Sequence, residues 1–162
     1  HRDVPAEDIV IESMEIIEDL QRTRQQTLAY FDLTEEQLEK VYASGKWTIR
    51  QLLHHITDAD TVLYDRVRRT ISNPNQVIWA FDQDRWAVGL DYHTFPLSVN
   101  KAIYKATREA VIYLAKQHYE GARDKQFVHS ATGLRSLKDE FDKIVWHNQA
   151  HLDQIAAALA KG

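Results

Sequence analysis

The 162-residue chain contains no cysteine. Disulfides, thiolate zinc sites, iron–sulfur clusters, haem attachment through C-x-x-C-H and any cysteine nucleophile are therefore excluded together. The same absence fits a reducing, cytoplasmic setting. Glycine (five) and proline (three) are also scarce, so few positions can interrupt a helix. No apolar run approaches the roughly 20 residues that a membrane span needs. Charge of one sign is not concentrated either. The net charge is −4, the pI is near 6.1 and there is no basic stripe, which argues against nucleic acid as a partner. Internal repeats and low-complexity tracts are missing. The chain begins at His1 rather than methionine, which leaves its true start, and a removed signal peptide, open.

What is present is ordinary for a soluble globular protein: 44% hydrophobic and 27% charged residues. The length suits one domain over residues 1–162, burying roughly 70% of its unfolded surface. Four segments carry helical periodicity. The first runs from about Ala6 to Phe31, with Met14, Ile17, Leu20, Leu28 and Phe31 as its stripe. The second starts at "WTIRQLLHHITDADTVLYDRV", where Thr48 and Gln51 read as a capping box. The third follows "FPLSVNKAIYKATREAVIYLAKQHY", with Ser98 as N-cap and Ile103, Ala106, Ala110, Tyr113 and Leu114 as its stripe. The fourth begins near Ser136 and places Leu137, Phe141, Ile144, Leu152, Ile155 and Leu159 on one side. With no convincing strand, the expected fold is all-α, a four-helix bundle.

Antiparallel neighbours in a bundle need short links, yet residues 71 to 97 separate the second and third segments. A link of this length permits a crossover that leaves those two helices parallel, in up-down-down-up order. Trp79, Phe81 and Trp86 make it too apolar for a disordered linker. It is expected to fold over the bundle and cap one end of the core, and a part in lining a pocket is compatible with that.

Near the C-terminus, "WHNQAHLDQI" stacks His147 and His151 at i and i+4 on one helical face. A third histidine would turn a pair into a site, and "LLHH" offers His54 and His55. At about 100° per residue, His55 lies roughly 60–70° from the centre of the Leu52, Ile56, Ala59 and Leu63 stripe, whereas His54 points to nearly the opposite side, toward water. His55, His147 and His151 can therefore converge at the rim of the bundle. Neutral imidazoles suit zinc, nickel, copper or iron, with zinc and nickel foremost, and three histidines with an open fourth position follow the pattern of a catalytic zinc site. The plainer alternatives are a surface pair and a hydrogen-bonded core histidine.

Rival sites fail on spacing. "HNQAH" has Asn148 where a metallopeptidase H-E-x-x-H has its glutamate, and the paired Glu-x-x-His motifs of a di-iron bundle are absent. No residue stands out as a general base. Asp58, Asp142 and Asp153 could accept an imidazole N–H, but a solvated surface carboxylate is the simpler reading of each. Packing accounts most simply for Trp47 and Trp146. Tyr42, Trp79 and Trp86 could line a pocket mouth, and "EIIED" reads as a helix face rather than an acidic site.

Taken together, "KWTIRQLLHHITDAD" and the distal "TGLRSLKDEFDKIVWHNQAHLDQI", with "FDQDRWA" between them, resemble the DinB-like superfamily and most closely its YfiT branch. The resemblance implies an up-down-down-up four-helix bundle, a divalent-metal triad at His55, His147 and His151, and a homodimer. It implies a small-molecule enzyme, since relatives include proposed metal-dependent hydrolases and transferases that attach the low-molecular-weight thiol bacillithiol to electrophiles. Three neutral imidazoles leave the ion its full charge, which lowers the pKa of a bound water or thiol. With no cysteine of its own, the chain would receive its sulfur nucleophile as a co-substrate. Thiol transfer is the leading expectation, hydrolysis the second, and a non-catalytic metal- or ligand-binding module the third.

Overall fold

The structure is a computed structural model that describes residues 4–161. Four long helices, α1 (Ala6–Tyr30), α3 (Ile49–Ser72), α5 (Leu97–His118) and α6 (Leu137–Ala160), form the bundle, and short helices α2 (Glu35–Leu38) and α4 (Gln83–Gly89) lie in the connections. Local chemistry sets their starts. The Thr48 hydroxyl accepts the Gln51 amide at 3.2 Å while Gln51 Oε1 accepts the Thr48 amide at 2.9 Å, a capping box at the head of α3. Ser136 and Asp139 repeat the arrangement at the head of α6. At α5 the cap is Pro96, with φ −61° and no side-chain bond. The expected N-cap, Ser98, lies inside the first turn, because proline is pre-set for helix entry and its carbonyl already accepts the Val99 and Asn100 amides.

Two apolar clusters fix the helix directions. One joins Ile16 and Leu20 of α1 to Leu63 and Val67 of α3, Val111 and Ala115 of α5, and Phe141 and Ile144 of α6. The other joins Phe31 to Ile49, Leu52 and Leu53, Tyr104, and Ile155 and Ala158. The start of α1 therefore meets the ends of α3 and α5 and the start of α6. The order is up-down-down-up, with α3 and α5 parallel, as the long connection at residues 71 to 97 implies. That connection runs the length of the bundle, with Tyr92 buried on the way, rather than capping one end.

Between the clusters lies a polar layer centred on Arg108, which is fully buried. Its guanidinium donates from Nε and Nη2 to both Asp60 carboxylate oxygens at 2.9 Å, from Nη1 to the Leu20 carbonyl at 3.1 Å and Thr23 Oγ1 at 2.6 Å, and from Nη2 to Asn148 Oδ1 at 2.6 Å. Asn148 in turn donates to Thr27 and accepts from Tyr104. This layer explains where the apolar stripes mislead. The buried face of α5 is Asn100, Tyr104, Arg108, Val111 and Ala115, whereas Ile103, Ala106 and Tyr113 are exposed. Likewise α1 buries Ser13, Thr23 and Thr27 and leaves Met14 exposed. A stripe sought from apolar residues rotates away from a face that buries an ion pair.

A small sheet is the second departure from the sequence expectation. β2 (Gln126–His129) pairs antiparallel with β3 (Gly133–Ser136) and parallel with β1 (Val77–Ile78). Gly133, at φ +83°, closes the hairpin in a backbone region that favours glycine. Strands of two to four residues are too short to show a period of two. The sheet ties the start of the crossover to the α5–α6 connection.

Replacing Arg108 with methionine should cost about 3–5 kcal/mol, because it strands the Asp60 carboxylate in the core. Equilibrium urea unfolding checks it, and a loss below about 1 kcal/mol would show that the layer is not holding the helices together.

Candidate metal centre

The capping box starts α3 so that residues 52 to 57 are all buried. The inner side of this stretch meets α5 and α6, and the outer side meets the crossover. His54 is therefore not in water. It is fully buried, its Nδ1 accepts from Asn100 Nδ2 at 2.7 Å, and its ring packs 5.4 Å from Tyr92 and 5.7 Å from Phe95. Helix geometry placed it opposite the apolar stripe, but a second apolar layer covers that side. Burial, and then the Arg50 charge, lower its pKa to about 4.

His55 is also fully buried and faces the other way, toward α6. Its Nε2 lies 2.9 Å from His147 Nε2, which lies 3.2 Å from His151 Nε2. The ligand atoms of the three all fall within 4.8 Å of one another. Burial and then neighbouring His151 push the His55 pKa down to about 3. Burial, then His151 and His55, lower His147 further, and burial lowers His151 against a bond to Gln154. Three neutral imidazoles thus turn Nε2 toward one point. Tetrahedral bonds of 2.0–2.1 Å would set such nitrogens roughly 3.3 Å apart, so the donor set fits a divalent transition metal. Among the described residues no fourth histidine, aspartate or glutamate joins the group.

The surroundings hold two of the rings in place. His151 Nδ1 lies 2.7 Å from Gln154 Oε1, and Gln154 Nε2 donates to the Tyr42 hydroxyl at 3.2 Å, which fixes the tautomer that leaves the His151 Nε2 lone pair facing inward. His55 packs 5.0 Å from Trp47 and 6.4 Å from Phe81, against which Trp86 sits edge-on. The carboxylates that sequence suggested as imidazole partners are engaged elsewhere: Asp58 accepts from the Tyr92 hydroxyl, Asp142 from Tyr119 and Lys138, and Asp153 from Gln149. Trp47 packs as expected, but Trp146 is 70% exposed and carries no packing role.

Two cavities flank the histidines. One of about 320 Å³ is lined by Tyr42, Trp47, Gln83, Asp84, His151 and Gln154. The other, of about 240 Å³, is lined in part by Arg66, Phe81, Gln83, His129, Lys143 and His147. Trp79 and Trp86 border a third cleft with Asp82. Sequence reasoning missed Gln154, although its i+3 spacing from His151 was a usable signal. It also missed Gln83 and Asp84, whose positions depend on the path of the crossover and had no such signal.

The DinB superfamily pattern matches residues 19–155. A protein of Oceanobacillus iheyensis is 33% identical over 128 residues, covering 79% of this chain and 73% of its own length. A second from the same organism is 31% identical over 149 residues, covering 92% and 85%. The names of both propose a metal-dependent hydrolase. YfiT from Bacillus subtilis, proposed to be a metal-dependent hydrolase with an unusual four-helix bundle topology, superposes with a TM-score of 0.83 at 22% identity, over 96% of this chain and 88% of its own.

The buried imidazoles make stability pH-dependent in metal-free protein. The unfolded rings titrate near 6.5, but His54 and His55 titrate near 4 and 3 in the folded chain. Above pH 6.5 both states hold neutral rings, whereas below it only the unfolded chain takes up protons. Stability should therefore fall as pH drops from about 6.5 toward 4, by roughly 1.3 kcal/mol for each of these two residues between pH 7 and 5.5. Urea midpoints across that range measure the effect, and a flat profile would contradict it.

Proposed function

We propose that this chain, which belongs to the DinB superfamily, is a metal-dependent hydrolase of a small molecule, with His55, His147 and His151 as ligands of one divalent transition metal, zinc or nickel foremost. The observation that carries the reading is the convergence of three neutral Nε2 atoms with no fourth histidine, aspartate or glutamate among the described residues, the pattern of an open, catalytic site. Bound there, such an ion supplies Lewis acidity, acidifying water and polarising a carbonyl oxygen. The chain supplies the rest. Gln154 orients His151, while Trp47 and Phe81 shield the His55 side from water. Asp84, the one carboxylate lining the cavity that borders His151, takes the role of general base toward the attacking water in this reading.

Hydrolysis ranks above thiol transfer because the names of the relatives propose it, while nothing in the site is specific to a thiol. Thiol transfer, which the sequence put first, needs the sulfur delivered from outside, since the chain has no cysteine.

Metal analysis of untagged protein should find about one divalent ion per chain, lost in His151→Ala and retained in His54→Ala; equal loss in both would sink the ligand assignment. With metal loaded, Asp84→Asn should keep the ion and lower kcat on activated esters or amides by about 10²-fold or more. Turnover of bacillithiol or glutathione with an electrophile, in place of ester or amide cleavage, would transfer the assignment to thiol chemistry.

A further inference from the structure

The 240 Å³ cavity beside His147 carries cationic groups and no carboxylate in its lining. Arg66 is 97% buried on this wall, since its side chain is 3% exposed. Its Nη1 lies 3.7 Å from Glu140 Oε2, its Nη2 donates to the Trp79 carbonyl at 3.5 Å, and its Nε has no hydrogen-bond partner among the described residues. Glu140 is already bonded through Oε1 to Arg135 Nε at 3.0 Å. Lys143, half-buried on α6 one turn before His147, forms no ion pair among the described residues. Arg66 and Arg135 thus share the single carboxylate of Glu140, and Lys143 adds a third positive charge near it without pairing. His129 adds a directional donor. Its Nδ1 accepts the amides of Ala131 and Thr132 at 3.1 and 3.0 Å, so its ring proton sits on Nε2. Burial, and then the charges of Arg66 and Lys143, lower its pKa, in keeping with a neutral ring in a positive field.

Excess buried positive charge is costly unless an anion meets it. We propose that this cavity is an anion subsite in which Lys143 and Arg66, with His129 Nε2–H, bind the carboxylate of a small organic acid whose reacting bond lies at the three histidines. The inference rests on the hydrolase reading for the second half of that statement and on the cavity alone for the first. At about 240 Å³ the space is below the roughly 300–1,000 Å³ of pockets for drug-sized ligands, which limits the acid portion to a few carbons. The wall that the cavity shares with His147 sets the geometry: carboxylate at the Lys143 end, reacting group at the imidazole end.

Propionate and its neutral counterpart propionamide, titrated calorimetrically into the full chain both as purified and after chelation, test this directly. The chelated arm removes any carboxylate binding by a bound ion. Propionate should bind in both arms and propionamide at least roughly tenfold more weakly, as expected when a charge-assisted bond is lost. Lys143→Met should weaken propionate roughly 10- to 100-fold and Lys143→Arg should restore it. Equal affinity for the two probes, no saturable propionate binding after chelation, or unchanged binding in Lys143→Met would overturn the subsite. If propionate binding follows this pattern while metal binding and hydrolysis fail, the hydrolase reading falls and the subsite stands. The reverse result removes the subsite alone.

Discussion

One buried guanidinium touches all four long helices. Arg108 sits on α5, forks onto Asp60 of α3, reaches the Leu20 carbonyl and Thr23 of α1, and meets Asn148 of α6. Apolar packing alone tolerates small slides of one helix along another, but a bidentate ion pair with fixed donor directions does not. The consequence reaches the histidines, because Asp60 is five residues beyond His55 and Asn148 directly follows His147. The charge layer that sets the register of α3 against α6 therefore also sets the spacing of the imidazoles, which tolerate little error.

Those imidazoles depend on a second constraint, the exclusion of water. Burial is the largest influence on each of the three pKa values, and it keeps the rings neutral, the form that can donate a lone pair. Part of the cover comes from the crossover, through Phe81 over His55, beside Trp47. Up-down-down-up order requires a connection long enough to run back along the bundle, and here that length roofs the site. Gln83 lines both flanking cavities, so the same segment divides the space on the His151 side from the cationic space on the His147 side.

Much of this was legible in the sequence, and for local reasons. Capping boxes are four-residue patterns, and Thr48–Gln51 placed the start of α3 correctly. The 100° step separated His55 from His54 and brought His55 together with His147 and His151. The length of residues 71 to 97 carried the parallel arrangement of α3 and α5. Membership of the DinB superfamily agrees with the motifs that pointed to it.

What the sequence by itself determined is what depends on neighbours within a turn or two: helix starts, facing directions and the meeting of three histidines. Only the tertiary structure decided that His54 is buried, that α5 turns Arg108 inward instead of Ile103 and Tyr113, and that Gln83 and Asp84 border the imidazoles. Each of these depends on a partner far away in the chain. A helix is polar or apolar on a face only relative to what covers it, and an ion pair such as Arg108 with Asp60, 48 residues apart, can make a charged face the inner one.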